Sequence, residues 1–158
     1  MNNPVIYKSL YYFLSVLLLL PFTVKAVENT GTADFQISEP FSFPSSFIDG
    51  HMVYEPYDNY GLMRIRSDVV FPSGEPNKLI NHASGRIVFT GGFFDLYYPD
   101  DVFENKGSAY FANGFALIRG KIINRNLMIF DGNAENSVFS CDFFDTGQIL
   151  NEGKLIIT

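Results

Sequence analysis

From Asp34 onward the chain alternates apolar and polar positions in short runs, broken by Gly, Pro, Asn and Asp. The clearest run is Gly61 to Phe71. Met63, Ile65, Val69 and Phe71 fall on one parity and Arg64, Arg66 and Asp68 on the other, which predicts a strand with one wet face. Asp34-Phe35-Gln36-Ile37-Ser38 alternates in the same way. Pro40 and Pro44 bracket Phe41-Ser42-Phe43, which limits that stretch to an edge strand. Phe47 to Glu55 carries Asp49-Gly50 as a turn or bulge.

The run of strands is interrupted once. After Pro72-Ser73-Gly74-Glu75-Pro76, residues 77–84 fit a two-turn helix, with Leu79, Ile80 and Ala83 on one face and Gly85 at its end. Hairpin signals then follow one another. Gly91-Gly92 separates Arg86–Thr90 from Phe93–Tyr98, Asn113-Gly114 separates Ala109–Ala112 from Phe115–Ile118, and Asp131-Gly132 separates Leu127–Phe130 from Ser137–Phe139. Gly147 and Gly153 punctuate the tail. No repeat of fixed period is visible. These signals predict an all-β fold, a single antiparallel β-sandwich or closed barrel of about eight to ten strands.

The first 26 residues read differently. Met1–Ser9 is polar with Lys8, Leu10–Leu20 is apolar, and Pro21–Ala26 breaks the run and ends on a small residue, with Val24 at −3. This is the pattern of a secretory signal, with cleavage expected after Ala26. About 13 apolar residues precede Lys25, short of the ~20 needed to span a bilayer as a helix. The expected organisation is a signal peptide over 1–26, a flexible mature N-terminus over 27–33 and one β domain over 34–158. The product is secreted or periplasmic, with no membrane span after processing.

Charge narrows the partners. Removing Lys8 and Lys25 takes the formal net charge from −6 to −8, which disfavours nucleic acid and anionic membrane surfaces. Cys141 is the only cysteine, so no internal disulfide forms, and its setting, Val138–Phe143, predicts a packed thiol. Beyond the signal stand fifteen Phe, six Tyr and no Trp. They supply either a filled aromatic core or the lining of an apolar pocket.

Candidate chemistry is sparse. Phe143-Phe144-Asp145-Thr146-Gly147 resembles the aspartic-protease signature over five residues. Only eleven residues follow Gly147, and Gln148 departs from the usual small residue, so the stretch reads as a strand end and turn. Asp95, Asp100, Asp101 and Glu104 surround Tyr97-Tyr98-Pro99 and are weak Ca²⁺ candidates whose spacing fits no EF-hand loop. His51 and His82 lack ligand partners at metal spacing. Tyr54, Tyr57 and Tyr60 recur every third residue and, with Tyr97 and Tyr98, form the candidate binding residues, because Tyr offers contact area with a polar tip. No catalytic residue, metal or cofactor is assigned. The expected function is an exported, non-enzymatic binding module for a protein or small ligand. A carrier with an interior apolar pocket is the alternative, and an enzyme or fibre subunit ranks below both.

Overall fold

The structure, a computed structural model, describes residues 27–36, 41–43, 45–48, 51–71, 76–112, 114–132, 139–143 and 146–158. It is all-β, but the strands run parallel and the chain coils upward as a three-sided solenoid. In chain order the strands are β1 (Val27–Asn29), β2 (Thr32–Phe35), β3 (Ser45–Ile48), β4 (His51–Tyr54), β5 (Tyr57–Asn59), β6 (Leu62–Ile65), β7 (Val69–Val70), β8 (Lys78–Asn81) and β9 (Arg86–Phe89). They continue as β10 (Phe93–Leu96), β11 (Val102–Asn105), β12 (Ser108–Ala112), β13 (Gly114–Ile118), β14 (Lys121–Asn124), β15 (Leu127–Asp131), β16 (Phe139–Phe143), β17 (Gln148–Asn151) and β18 (Lys154–Ile157).

Apart from β3 and β4, successive strands belong to different sheets. The first sheet stacks β1-β5-β8-β11-β14-β17, the second β2-β6-β9-β12-β15-β18, and the third β7-β10-β13-β16. Among the described residues only β3 and β4 pair antiparallel. The antiparallel sandwich or barrel is therefore corrected to three parallel sheets. The Gly91-Gly92 turn shows why alternation misled: it joins β9 to β10, which do not pair with each other. Instead β9 pairs with β6 and β12, and β10 with β7 and β13. Gly92, at φ 83°, turns a corner there. Period-two alternation reports one buried face, and it is silent on which strand lies alongside or in which direction.

Two further expectations change. Residues 78–81 are strand β8 rather than helix, with Leu79 and Asn81 buried and Lys78 exposed. Pairing with β5 on one side and β11 on the other overrides the weak helical propensity. Within 27–33, expected to be loose, β1 pairs with β5, and β2 begins at Thr32 and pairs with β6. The Gly61–Phe71 run keeps its predicted parity, but a bend at 66–68 splits it into β6 and β7, one in each of two sheets.

The unrecognised element was a repeat of variable length. Asn29, Asn59, Asn81, Asn105, Asn124 and Asn151 occupy one register column at the end of the first sheet. Each side-chain Nδ2 donates to the next Oδ1, at 2.7, 2.7, 2.7, 2.8 and 2.7 Å. The sequence spacings are 30, 22, 24, 19 and 27 residues, so no fixed-period search finds them. Side-chain amides also bond corner carbonyls, such as Asn105 to Leu127 at 2.9 Å. Every interior member of the ladder thus has its polar atoms paired, as burial demands.

Inside, rings from all three sheets meet. Phe94 of the third sheet lies 5.5 Å from Phe103 of the first and 5.2 Å from Phe111 of the second, all three essentially without solvent exposure. Phe89, Phe111 and Phe130 stack along the second sheet at 5.7 and 5.1 Å. Each such burial stabilises by roughly 1.5–3 kcal/mol. At the N-terminal end Phe41 and Phe43 take the third side of the first turn. The Phe41 N–H bonds Ser67 Oγ at 3.1 Å, and its ring packs edge-on to Phe35 and Tyr57.

Candidate functional site

Among the described residues the third sheet has the fewest strands of the three parallel sheets, and its outer face is unusual. Along β10, Phe94 and Leu96 point inward, so Phe93, Asp95 and then Tyr97 point out. Val70 of β7 sits beside Asp95 in register. Val70, Phe93 and Tyr97 are 49, 50 and 41 % exposed; the first two lie on adjoining strands, and Tyr97 directly follows β10 with Asp95 between the two rings. The Phe93 N–H bonds Asp68 Oδ1 at 2.8 Å, which fixes the corner that presents this ring.

The following corner carries the charge. The Arg119 guanidinium lies 4.7 Å from the centre of the Tyr97 ring, a cation–π contact, and Tyr97 meets Tyr98 edge-on at 4.9 Å. Asp101 is wholly buried and acts as a brace: Oδ1 accepts from the Asn77 N–H at 3.0 Å and Oδ2 from the Tyr98 N–H at 2.8 Å. Burial raises its pKa against the pull of those hydrogen bonds. Asp95 is half-buried, and burial raises its pKa too, with the Arg119 charge opposing and the Asp101 charge adding. Its Oδ1 is shielded from solvent and has no hydrogen-bond partner. Asp95, Tyr97, Tyr98, Asp101 and Arg119 therefore form one site.

Other sequence candidates scatter. Tyr54 is half-buried against the core, Tyr57 is buried on Phe41 at 5.3 Å, and Tyr60 lies outside, stacked on His82 at 3.9 Å. A spacing of three carried through strand and corner leaves Tyr54 and Tyr57 against the core and turns Tyr60 away from it. His82 Nε2 is 2.7 Å from Asp58 Oδ1. Glu104 does not join Asp95, Asp100 and Asp101. It is buried on the first sheet with Arg125 Nε at 2.8 Å, Lys78 at 3.4 Å and Lys106 at 3.6 Å, while Arg125 also pairs with Glu152. Burial would raise its pKa, but those cations outweigh it and hold the carboxyl below its ordinary value. Asp100 is exposed. Among the described residues no three His, Cys, Asp or Glu converge on a metal position. Among the same described residues no helix is long and apolar enough to cross a membrane. His51 opens β4 and Cys141 lies opposite Ala116 in register. Asp145 lies outside the described residues, and the neighbouring Thr146 Oγ1 donates to the Arg119 carbonyl at 2.6 Å.

Arg119, Phe93 and Val70 were missed as site residues. The outward parity of β10 was the available signal, since Phe93 and Phe94 cannot both face inward. No protein-family model, curated protein or solved structure matches the chain.

Proposed function

We propose that the chain is an exported binding module whose recognition surface is the outer face of β7 and β10 with the Tyr97–Asp101 corner. The observation that carries this reading is the exposed Val70–Phe93–Tyr97 group beside Arg119. Large apolar side chains exposed on one face offer contact area to a partner, and Tyr and Arg dominate the energetic centres of interfaces. The face is preorganised. Asp68 holds Phe93, and Asp101 holds the Tyr98 backbone, so little ordering entropy is lost on binding. Binding rather than turnover is favoured because the buried Asp101 is committed to two backbone N–H groups. Export is supported by the signal-like pattern of residues 1–26.

Photoreactive residues placed at Phe93 and Tyr97 of the protein expressed in its own cells test this. A discrete crosslinked partner is expected at both positions and none at Arg86, an exposed residue of the second sheet. Equal labelling at all three positions would remove the proposal.

A further inference from the structure

The outer face of the first sheet carries charge where the third carries rings. Leu79, Phe103 and Ile122 point inward, so Lys78, Glu104 and Lys121 on the same three strands point out. Lys106 and Arg125 follow at the corner, each directly after a ladder asparagine. Glu104 is 7 % exposed, and Lys78, Lys106 and Arg125 close on its two oxygens. Burial pushes this carboxyl up, yet the cations hold it below its ordinary value, so the local potential is positive. Lys121 stands in the register row of Lys78, across Val102. Four of the nine Lys and Arg beyond Lys25 thus gather on three adjoining strands and their corners, in a chain of negative net charge. Against them stand Glu104 and, on the far side of Arg125, Glu152. Positive charge is left over, and the side chains of Lys78, Lys106 and Arg125 remain 45, 38 and 41 % exposed.

We propose that Lys78, Lys106, Lys121 and Arg125 form an anion-binding site for a compact oxyanion of two or more charges, of the phosphoryl or polycarboxylate class. Glu104 is the internal anion that gathers the cations and leaves their outer N–H groups to the ligand. An ammonium has three donors and a guanidinium five, so the bonds to Glu104 and Glu152 do not exhaust them. The backbone beneath is fixed: β11 lies between β8 and β14, and Asn105 bonds both Asn81 and Asn124. Ligand size follows from the flanks. Asp58 lies on β5, one strand beyond β8, and Glu152 directly follows β17, one strand beyond β14. The band between them spans two inter-strand steps, roughly 10 Å. That admits a small molecule, while the flanking carboxylates repel the continuation of a long polyanion.

Thermal unfolding of the purified protein in pyrophosphate, against sodium chloride at equal ionic strength, tests this. Pyrophosphate should raise the wild-type Tm by several degrees and saturably, as a ligand of the folded state does. Lys121→Gln, which leaves the Glu104 pairs intact, should cut that shift by half or more, and Lys78→Gln combined with Lys106→Gln should abolish it. Glu104→Gln should enlarge the shift, because the competing internal anion is gone; a merely structural ion cluster gives no such gain. Far-UV circular dichroism checks that each variant folds, and if the double variant does not, Lys121→Gln and Glu104→Gln decide. Long-chain polyphosphate at equal phosphoryl concentration should shift Tm less, since its extension meets Asp58 or Glu152. No shift beyond chloride, equal shifts in wild type and Lys121→Gln, a smaller shift in Glu104→Gln, or a larger one with polyphosphate would each overturn the proposal.

Discussion

The asparagine ladder makes a graded prediction, because its members share one chemistry and differ in burial. Asn105 is wholly buried and makes three side-chain bonds: it accepts from Asn81 at 2.7 Å and donates to Asn124 at 2.8 Å and to Leu127 O at 2.9 Å. A net 0.5–1.5 kcal/mol per bond puts the loss in Asn105→Ala at roughly 1.5–4.5 kcal/mol. The Asn124 Oδ1 left without its donor moves the total toward about 3–5 kcal/mol. Asn151→Ala removes two bonds rather than three, at an exposed end where water replaces them, so the loss should stay below about 1 kcal/mol. Asn105→Asp should be worse than alanine, since its second oxygen would face two acceptors. Urea denaturation with an unchanged m-value measures all three. If Asn105→Ala and Asn151→Ala agree to within about 1 kcal/mol, burial of the ladder is not what makes it stabilising.

Two more predictions concern local packing and pH. A Cβ on Gly107 would collide with the Gly85 and His82 carbonyls, whereas one on Gly31 meets nothing within 4 Å. Gly107→Ala should therefore lower stability by about 1–3 kcal/mol or more, with Gly31→Ala within about 0.5 kcal/mol of wild type, as read by thermal or urea unfolding. Glu104 has a folded pKa below its unfolded value. Its contribution is therefore present above the unfolded pKa and is lost as pH falls through the folded one. Glu104→Gln should cost about 1–2 kcal/mol at neutral pH, reduced because the cations are partly exposed. That cost should shrink in acid, and urea curves at neutral pH and below pH 4 check it; a cost independent of pH would contradict the assignment.

The primary sequence determined which side chains are buried. Met63, Ile65, Val69 and Phe71 lie inside and Arg64, Arg66 and Asp68 outside, as alternation requires, because successive strand residues point to opposite faces wherever the strand is placed. The all-β character was legible for the same reason, and so was the turn after Tyr97. The recurring Asn-x-Gly at Asn29, Asn59, Asn105 and Asn151 was a further signal, written in the chain but hidden by unequal spacing. Only the tertiary structure decided the direction and partner of each strand. Local geometry at Gly91-Gly92 serves a corner as well as a hairpin, and it is the summed pairing of β9 and β10 with their neighbours that selects between them. The same selection brought Arg119 to Tyr97, twenty-two positions away in the chain, and sent Tyr57 inward while Tyr60 faces out. Contacts between turns depend on how many residues each corner consumes, and alternation along one strand carries no record of that count.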